Sequence, residues 1–199
     1  MISALTPLLL LLAWQPWFSS RGVDVEIARV EGGTPWIRGT GEVPASAEKV
    51  AAVVTDFDDY REIFSPALKK ARVLSAAADS ALLHLVWPYP FPLRNRDAIV
   101  EYRMERLAEG EFLLSWKNDQ KSGDPHEGVR IARVSGETRI VPLAAESSRV
   151  TYMYLGDLGG KFPRSAEEKA WRAEPVEYFR ALRRRLKIPD PPKSKRLPV

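Results

Sequence analysis

The chain contains no cysteine. That excludes a disulfide scaffold, thiolate catalysis, Cys-ligated zinc or iron–sulfur sites, and a lipid anchor on an N-terminal cysteine. Histidine is nearly absent too: His84 and His126 are the only two, too few for most His-based metal sites, so neither metal nor cofactor is expected. Common catalytic signatures are missing. There is no G-x-S-x-G, no H-E-x-x-H and no phosphate-binding G-x-x-x-x-G-K, and Gly156, Gly159 and Gly160 do not form a dinucleotide fingerprint. Asp56, Asp58 and Asp59 crowd one helix junction, which is not the layout of two carboxylates working across a substrate. No uninterrupted apolar run reaches the roughly 20 residues of a membrane-spanning helix. The apolar stretch from Met1 to Phe18 is broken by Pro7, Gln15 and Pro16 and carries no Lys or Arg before Arg21.

What is present is an ordinary globular balance in 199 residues, 45% hydrophobic and 28% charged, enough chain for one domain with a sizeable core. Six Trp, six Tyr and seven Phe suit a large apolar interior or pocket. The net charge of +4 is uneven. Lys161 to Val199 holds 12 basic and 5 acidic residues, while the first 160 residues hold 18 and 21. The basic excess thus sits in one C-terminal helix and tail, so nucleic acid is not expected as a partner despite the high isoelectric point. Such a charge run reads either as a solvated face or as a surface for anionic headgroups.

Residues 1–22 resemble a secretory signal segment, with Leu8 to Ala13 as the apolar centre and Ser20-Arg21-Gly22 as a small-x-small cleavage site before Val23. An uncleaved anchor and a packed N-terminal segment are the competing readings. A cleaved signal implies a secreted or periplasmic domain over residues 23–188, with a Pro- and Lys-rich disordered tail over 189–199.

Val23 to Val30 alternates apolar and polar residues and reads as a half-buried strand. Trp36 to Val43 is a second strand, and Ser46 caps a following helix with Val50, Val53, Val54 and Phe57 as its apolar stripe. A second short helix is expected over 59–64. Strands follow over 68–75, 81–87, 96–106, 111–116, 129–141 and 150–155, with Pro88, Pro90 and Pro92 interrupting regular structure. A last helix spans about Ser165 to Leu186, with a kink expected at Pro175. Runs of strands and then a long helix indicate α+β, with the helix across one face of an antiparallel sheet.

Four stretches resemble one family. Pro92-Leu-Arg-Asn-Arg96-Asp97-Ala-Ile-Val100 resembles the P-x-x-x-R-D-[FY]-V segment of START domains, lipid-transfer members of the Bet v 1-like helix-grip superfamily. Val43 to Val50, continuing through Asp56-Phe-Asp, looks like the family's first helix. Gly128-Val-Arg-Ile through Val141-Pro142 looks like its long strand. Asp157-Leu-Gly-Gly160-Lys-Phe-Pro163 is similar to the loop before the final helix. Together they cover about Val23 to Leu186; Ala98 stands where an aromatic is usual. The resemblance implies a helix-grip fold, a curved antiparallel sheet around a long C-terminal helix with two short helices between the early strands. It also implies a non-enzymatic, monomeric carrier of one hydrophobic small molecule, a lipid, sterol or isoprenoid. Its mouth would be gated by the loop of Tyr89, Phe91 and Leu93, with transient contact to an anionic membrane surface. Polyketide aromatase/cyclase activity, using Tyr102, His84 and Arg96 as acids or bases, is the alternative within the superfamily. A partner-binding module without a small ligand is a third.

Candidate cavity residues follow. Arg96, Val100, Tyr102 and Met104 share a strand face with Ala98. Arg96 is either a structural ion pair or a handle for a ligand headgroup. Phe112, Leu114 and Trp116 form one alternating face, core or cavity. Trp87 ends the preceding strand. Trp171, Tyr178 and Phe179 form the helix stripe, again core or ligand wall. His84, in a strand apolar on both faces, is either a satisfied buried histidine or a ligand hydrogen-bond partner.

Overall fold

The computed structural model describes residues 12–61, 68–89, 91–119, 125–131, 133–157 and 164–192. Ten strands form a single sheet: β1 (Gln15–Ser20), β2 (Val23–Ala28), β3 (Trp36–Val43), β4 (Lys70–Ala76), β5 (Ser80–Trp87), β6 (Arg96–Arg106), β7 (Phe112–Asn118), β8 (Val129–Arg130), β9 (Arg133–Ala144) and β10 (Ser147–Asp157). Their order is β1-β2-β3-β10-β9-β7-β6-β5-β4, all antiparallel, while the short β8 runs parallel beside β6. Helix α1 (Ala47–Val54) carries the chain from β3 across to the far edge, and α2 (Arg164–Arg185) closes the fold. No described helix is long and apolar enough to cross a membrane.

Local chemistry explains the elements. Ser46 caps α1, its side-chain oxygen accepting a hydrogen bond from the Lys49 N–H at 3.4 Å, and Ala47, Val50, Ala51 and Val54 turn inward. The alternation in β2 buries Val23, Val25 and Ile27. The closest approach of α2 to the sheet falls at Gly39 and Gly41 of β3. A β-carbon on Gly39 would lie 2.7 Å from Pro175, and one on Gly41 would lie 2.9 Å from the Phe179 ring. Pro175 stays inside one continuous helix. The missing side chains of β3 make the space in which α2 is gripped.

The structure adds detail at three expected boundaries. The break expected before Val23 falls in a hairpin: β1 pairs with β2 in antiparallel register, joined by Arg21 and Gly22, both with left-handed φ (52° and 68°). That is the backbone of a two-residue turn matched to strand twist. Trp17 and Phe18 pack against the core, and the Arg172 guanidinium of α2 lies 4.3 Å from the Trp17 ring centre. Leu12 and Trp14 pack on the opposite face of the sheet against Ala28, Trp36, Met153 and Leu155. The tail is likewise held at its start. Asp190 accepts a hydrogen bond from Arg180 at 3.1 Å and faces Arg21 at 3.7 Å, while residues 193–199 lie outside the described residues. The long strand expected over 129–141 is split into β8 and β9. The second short helix expected over 59–64 lies mostly outside the described residues.

Candidate functional site

The concave face of the sheet and α2 enclose a cavity of about 150 Å³. Its floor comes from alternate positions of central strands, where the two-residue period turns every second side chain inward: Leu85 of β5, Val100 and Tyr102 of β6, Trp116 of β7, and Tyr152 and Tyr154 of β10. Helix α2 supplies Trp171, Glu174 and Tyr178, at i, i+3 and i+7 on one face. Trp87, Tyr89 and Tyr60 also line it.

The rings form a near-continuous ladder. Tyr102 stacks with Trp116 at 6.0 Å between centroids, Trp116 with Tyr152 at 5.4 Å, and Tyr152 with Tyr178 across from the helix at 4.0 Å. Gly136 of β9 makes the ladder possible, because a β-carbon there would come within 2.5 Å of the Trp116 ring. The tyrosine hydroxyls are paired: Tyr60 with Tyr102 at 2.9 Å, and Tyr178 with Thr138 at 3.0 Å. Tyr154 donates to the Trp171 carbonyl at 3.0 Å, and Tyr152 donates to Glu174 Oε1 at 3.2 Å. Burial pushes Tyr60, Tyr102, Tyr152, Tyr154 and Tyr178 above the usual phenol range, so they are neutral donors at physiological pH. Glu174 is half-buried. Desolvation among these rings raises its carboxyl above the ordinary carboxylate value, partly offset by the Tyr152 hydrogen bond.

Six of the twelve expected cavity residues meet there: Trp87, Val100, Tyr102, Trp116, Trp171 and Tyr178. His84 does not. It lies on the other face of the sheet, fully buried, with Nε2 3.1 Å from Asp97 Oδ2. Asp97 also accepts the Glu127 N–H at 3.0 Å and has Arg130 at 3.4 Å and His126 Nδ1 at 3.4 Å. Burial alone would raise the Asp97 carboxyl, but these partners together hold it below its usual value. The cluster ties the 126–131 segment to β6, with the Ile131 N–H donating to the Asp97 carbonyl at 2.8 Å.

Arg96 shares a β-sheet face with Tyr102 but is turned to the mouth. Its Nη1 donates to the Arg94 carbonyl, and its guanidinium lies 5.7 Å from the Tyr89 ring centre. Met104, Phe112 and Leu114 lie farther along β6 and β7 and belong to the hydrophobic core. Phe179 is fully buried against Gly41, one residue off the cavity-facing stripe. Of the gate residues, Tyr89 lines the cavity. Phe91 is 97% exposed, and Leu93 borders a shallow surface groove with Asn95 and His126.

The residues missed by sequence reasoning are Tyr60, Tyr152, Tyr154 and, above all, Glu174. Glu174 follows Trp171 by three positions and precedes Tyr178 by four, so the aromatic stripe already pointed to it.

No family model matches the chain. An uncharacterized Pseudomonas aeruginosa protein is 22% identical over 157 residues, 75% of each chain. Among solved structures, a STAR-related lipid transfer protein fragment from Xanthomonas axonopodis is 25% identical with a TM-score of 0.78, covering 87% of this chain and 98% of its own. An aromatase/cyclase from a Streptomyces species is 17% identical with a TM-score of 0.58, covering 76% and 93%. Sheet order, gripped helix and these likenesses agree: the chain has the START-like helix-grip fold.

Proposed function

We propose that this domain binds one hydrophobic small molecule between sheet and α2, as a carrier and not as a catalyst. The cavity under α2 carries the reading, because its described wall is almost wholly aromatic and aliphatic and apolar area removed from water contributes about 25 cal/mol per Å². The START-like fold supports it. The cavity's 150 Å³ sets the scale of the occupant. Ligand pockets commonly run to about 300–1,000 Å³, whereas a cavity of about 150 Å³ accepts a molecule the size of benzene. A single ring fits as the walls stand. A sterol or diacyl lipid requires ladder rings to rotate or α2 to shift.

A cyclase built on Tyr102, His84 and Arg96 is less well supported, because only Tyr102 lines the cavity. Membrane contact, in this reading, is made by the exposed Phe91 beside the mouth. The basic end of α2 is a poor candidate for the same contact. Arg184 lies 13 residues beyond Trp171, roughly 20 Å along the helix axis at about 1.5 Å per residue. Arg183 there is buried and donates to the Arg21 carbonyl at 2.9 Å. Arg185 is engaged by Asp56 and Asp59 at 3.0 and 2.9 Å.

Native mass spectrometry of the purified chain, followed by denaturing extraction, tests the carrier reading. It is expected to release a stoichiometric hydrophobic molecule, and the emptied protein should take up small aromatic probes. Repeated recovery of empty protein that takes up neither aromatic probes nor fluorescent sterol or phospholipid would falsify it. A chemically altered product on incubation with polyketide, abolished by Tyr102→Phe, would favour the cyclase.

A further inference from the structure

The described wall of the cavity contains one formally charged side chain, Glu174, and no Lys, Arg or His. Glu174 makes no ion pair among the described residues. Tyr152 is its hydrogen-bond partner there, bound to Oε1 at 3.2 Å, and the carboxylate lines the cavity. A carboxylate removed from water is costly unless it is paired. Around it stand the rings of Tyr60, Tyr102, Trp116, Tyr152, Trp171 and Tyr178, and ring faces carry negative electrostatic potential that attracts cations. The same surroundings repel an anionic guest such as a fatty-acid carboxylate or a phosphate.

We propose that the cavity's occupant carries an ammonium-type cation on a compact apolar body, with Glu174 as its counter-ion and the aromatic wall as its cage. This rests on the carrier reading and narrows it to a ligand class. Among the described residues, every charged or titratable group facing Glu174 is consistent with that role. From the segment after α1, from β6 and from β10 come Tyr60, Tyr102, Tyr152 and Tyr154, all held neutral by burial. Helix α2 adds Tyr178, also neutral, and Glu177, whose charge raises the Glu174 carboxyl further. Tyr89 at the mouth is pushed above the phenol range by burial, against the opposing pull of Arg96. A bound cation would draw the Glu174 carboxyl back toward its ionised form.

The test uses the full chain and three probes of one shape family: benzyltrimethylammonium, its uncharged carbon isostere neopentylbenzene, and phenylacetate. Binding is measured by titration calorimetry or ligand-observed NMR. The cation is expected to bind at least about tenfold more tightly than the neutral isostere, with phenylacetate weakest. Glu174→Gln should erase the gap between the first two by weakening the cation, and Glu174→Asp should restore part of it. If Glu174→Gln fails to fold by circular dichroism, acidification of the unmutated protein reads the same group: the cation preference must fade as Glu174 protonates. Equal binding of cation and isostere, or a preference that survives both Glu174→Gln and acid, overturns the cation assignment and leaves the apolar carrier standing. Failure of all three probes to bind overturns the cation assignment, and it overturns the carrier reading as well only if the emptied protein also takes up neither fluorescent sterol nor phospholipid.

Discussion

Two carboxylates, the half-buried Glu174 and the fully buried Asp97, respond to pH in opposite directions. Glu174 has a folded-state pKa above its unfolded value, so the native state holds its proton more tightly than the unfolded chain does. Native stability therefore falls as pH rises from the ordinary carboxylate range through the raised folded value. Glu174→Gln keeps the acceptor for Tyr152 and removes the charge. It is expected to raise the melting temperature at neutral pH, an advantage that shrinks to nothing in acid, as read by thermal melts across pH. Asp97 is the reverse case. Its folded pKa is lowered, so its contribution is complete above the ordinary carboxylate range and is lost as pH falls through the folded value. Asp97→Asn is expected to lose roughly 1.5–3 kcal/mol at neutral pH by urea unfolding, because Asp97 is fully buried and joins His84, Arg130 and the Glu127 N–H. An unchanged midpoint would show that the cluster is dispensable. At this scale the site was only half legible. Tyr102 and Trp116 follow from strand parity, and Trp171 and Tyr178 from helical spacing. His84 was ambiguous because its strand is buried on both faces, and only the β5–β6 register, set across the long Pro-rich loop, places it beside Asp97. Glu174 was passed over because a glutamate in a charged helix looks solvated until the helix is seen against an aromatic wall.

At the level of elements, the grip depends on how closely α2 can approach β3. Gly41→Val would set a β-carbon 2.8 Å from the Gly22 carbonyl oxygen and 2.9 Å from Phe179, so α2 or the β1–β2 turn must move. The expected loss is roughly 1–3 kcal/mol in denaturant unfolding, together with a change in apolar probe binding. Gly156→Ala, where a β-carbon meets nothing within 4 Å among the described residues, is the control and should stay within about 0.5 kcal/mol. A neutral result at Gly41 would mean that the helix position is not set by this contact. Strand β6 over Arg96–Arg106, β3 over Trp36–Val43 and the Ser46 cap stand where the sequence pattern placed them, because alternation and capping are local signals. The glycines of β3 read as a weakening of the strand. Their purpose is visible only from the partner helix, which lies more than a hundred residues away in sequence. The split of β8 from β9 was hidden for a related reason, since apolar alternation continues through Ile131 while the pairing partner changes from β6 to β7 and β10.

For the molecule as a whole, the open question is which part of the N-terminal segment the folded domain needs. A signal segment removed before Val23 would strip away β1, leaving β2 as a bare edge with an unpaired row of backbone groups. It would also take Trp17 and Phe18 from the core and Leu12 and Trp14 from the opposite face. A chain beginning at Val23 would forfeit about 2–4 kcal/mol from the two half-buried core aromatics alone, and Arg172 would lose the ring it covers. Export and a stable domain are compatible if any processing falls ahead of Leu12. N-terminal sequencing of the protein recovered from its host is expected to return a chain that includes Gln15–Ser20. A variant starting at Val23 is expected to melt earlier, with weakened retention of apolar probes, because β1 braces the face of α2 that carries Arg172. A mature terminus at Val23 with undiminished stability would show instead that β1 is an accessory strand and that the gripping sheet begins at β2.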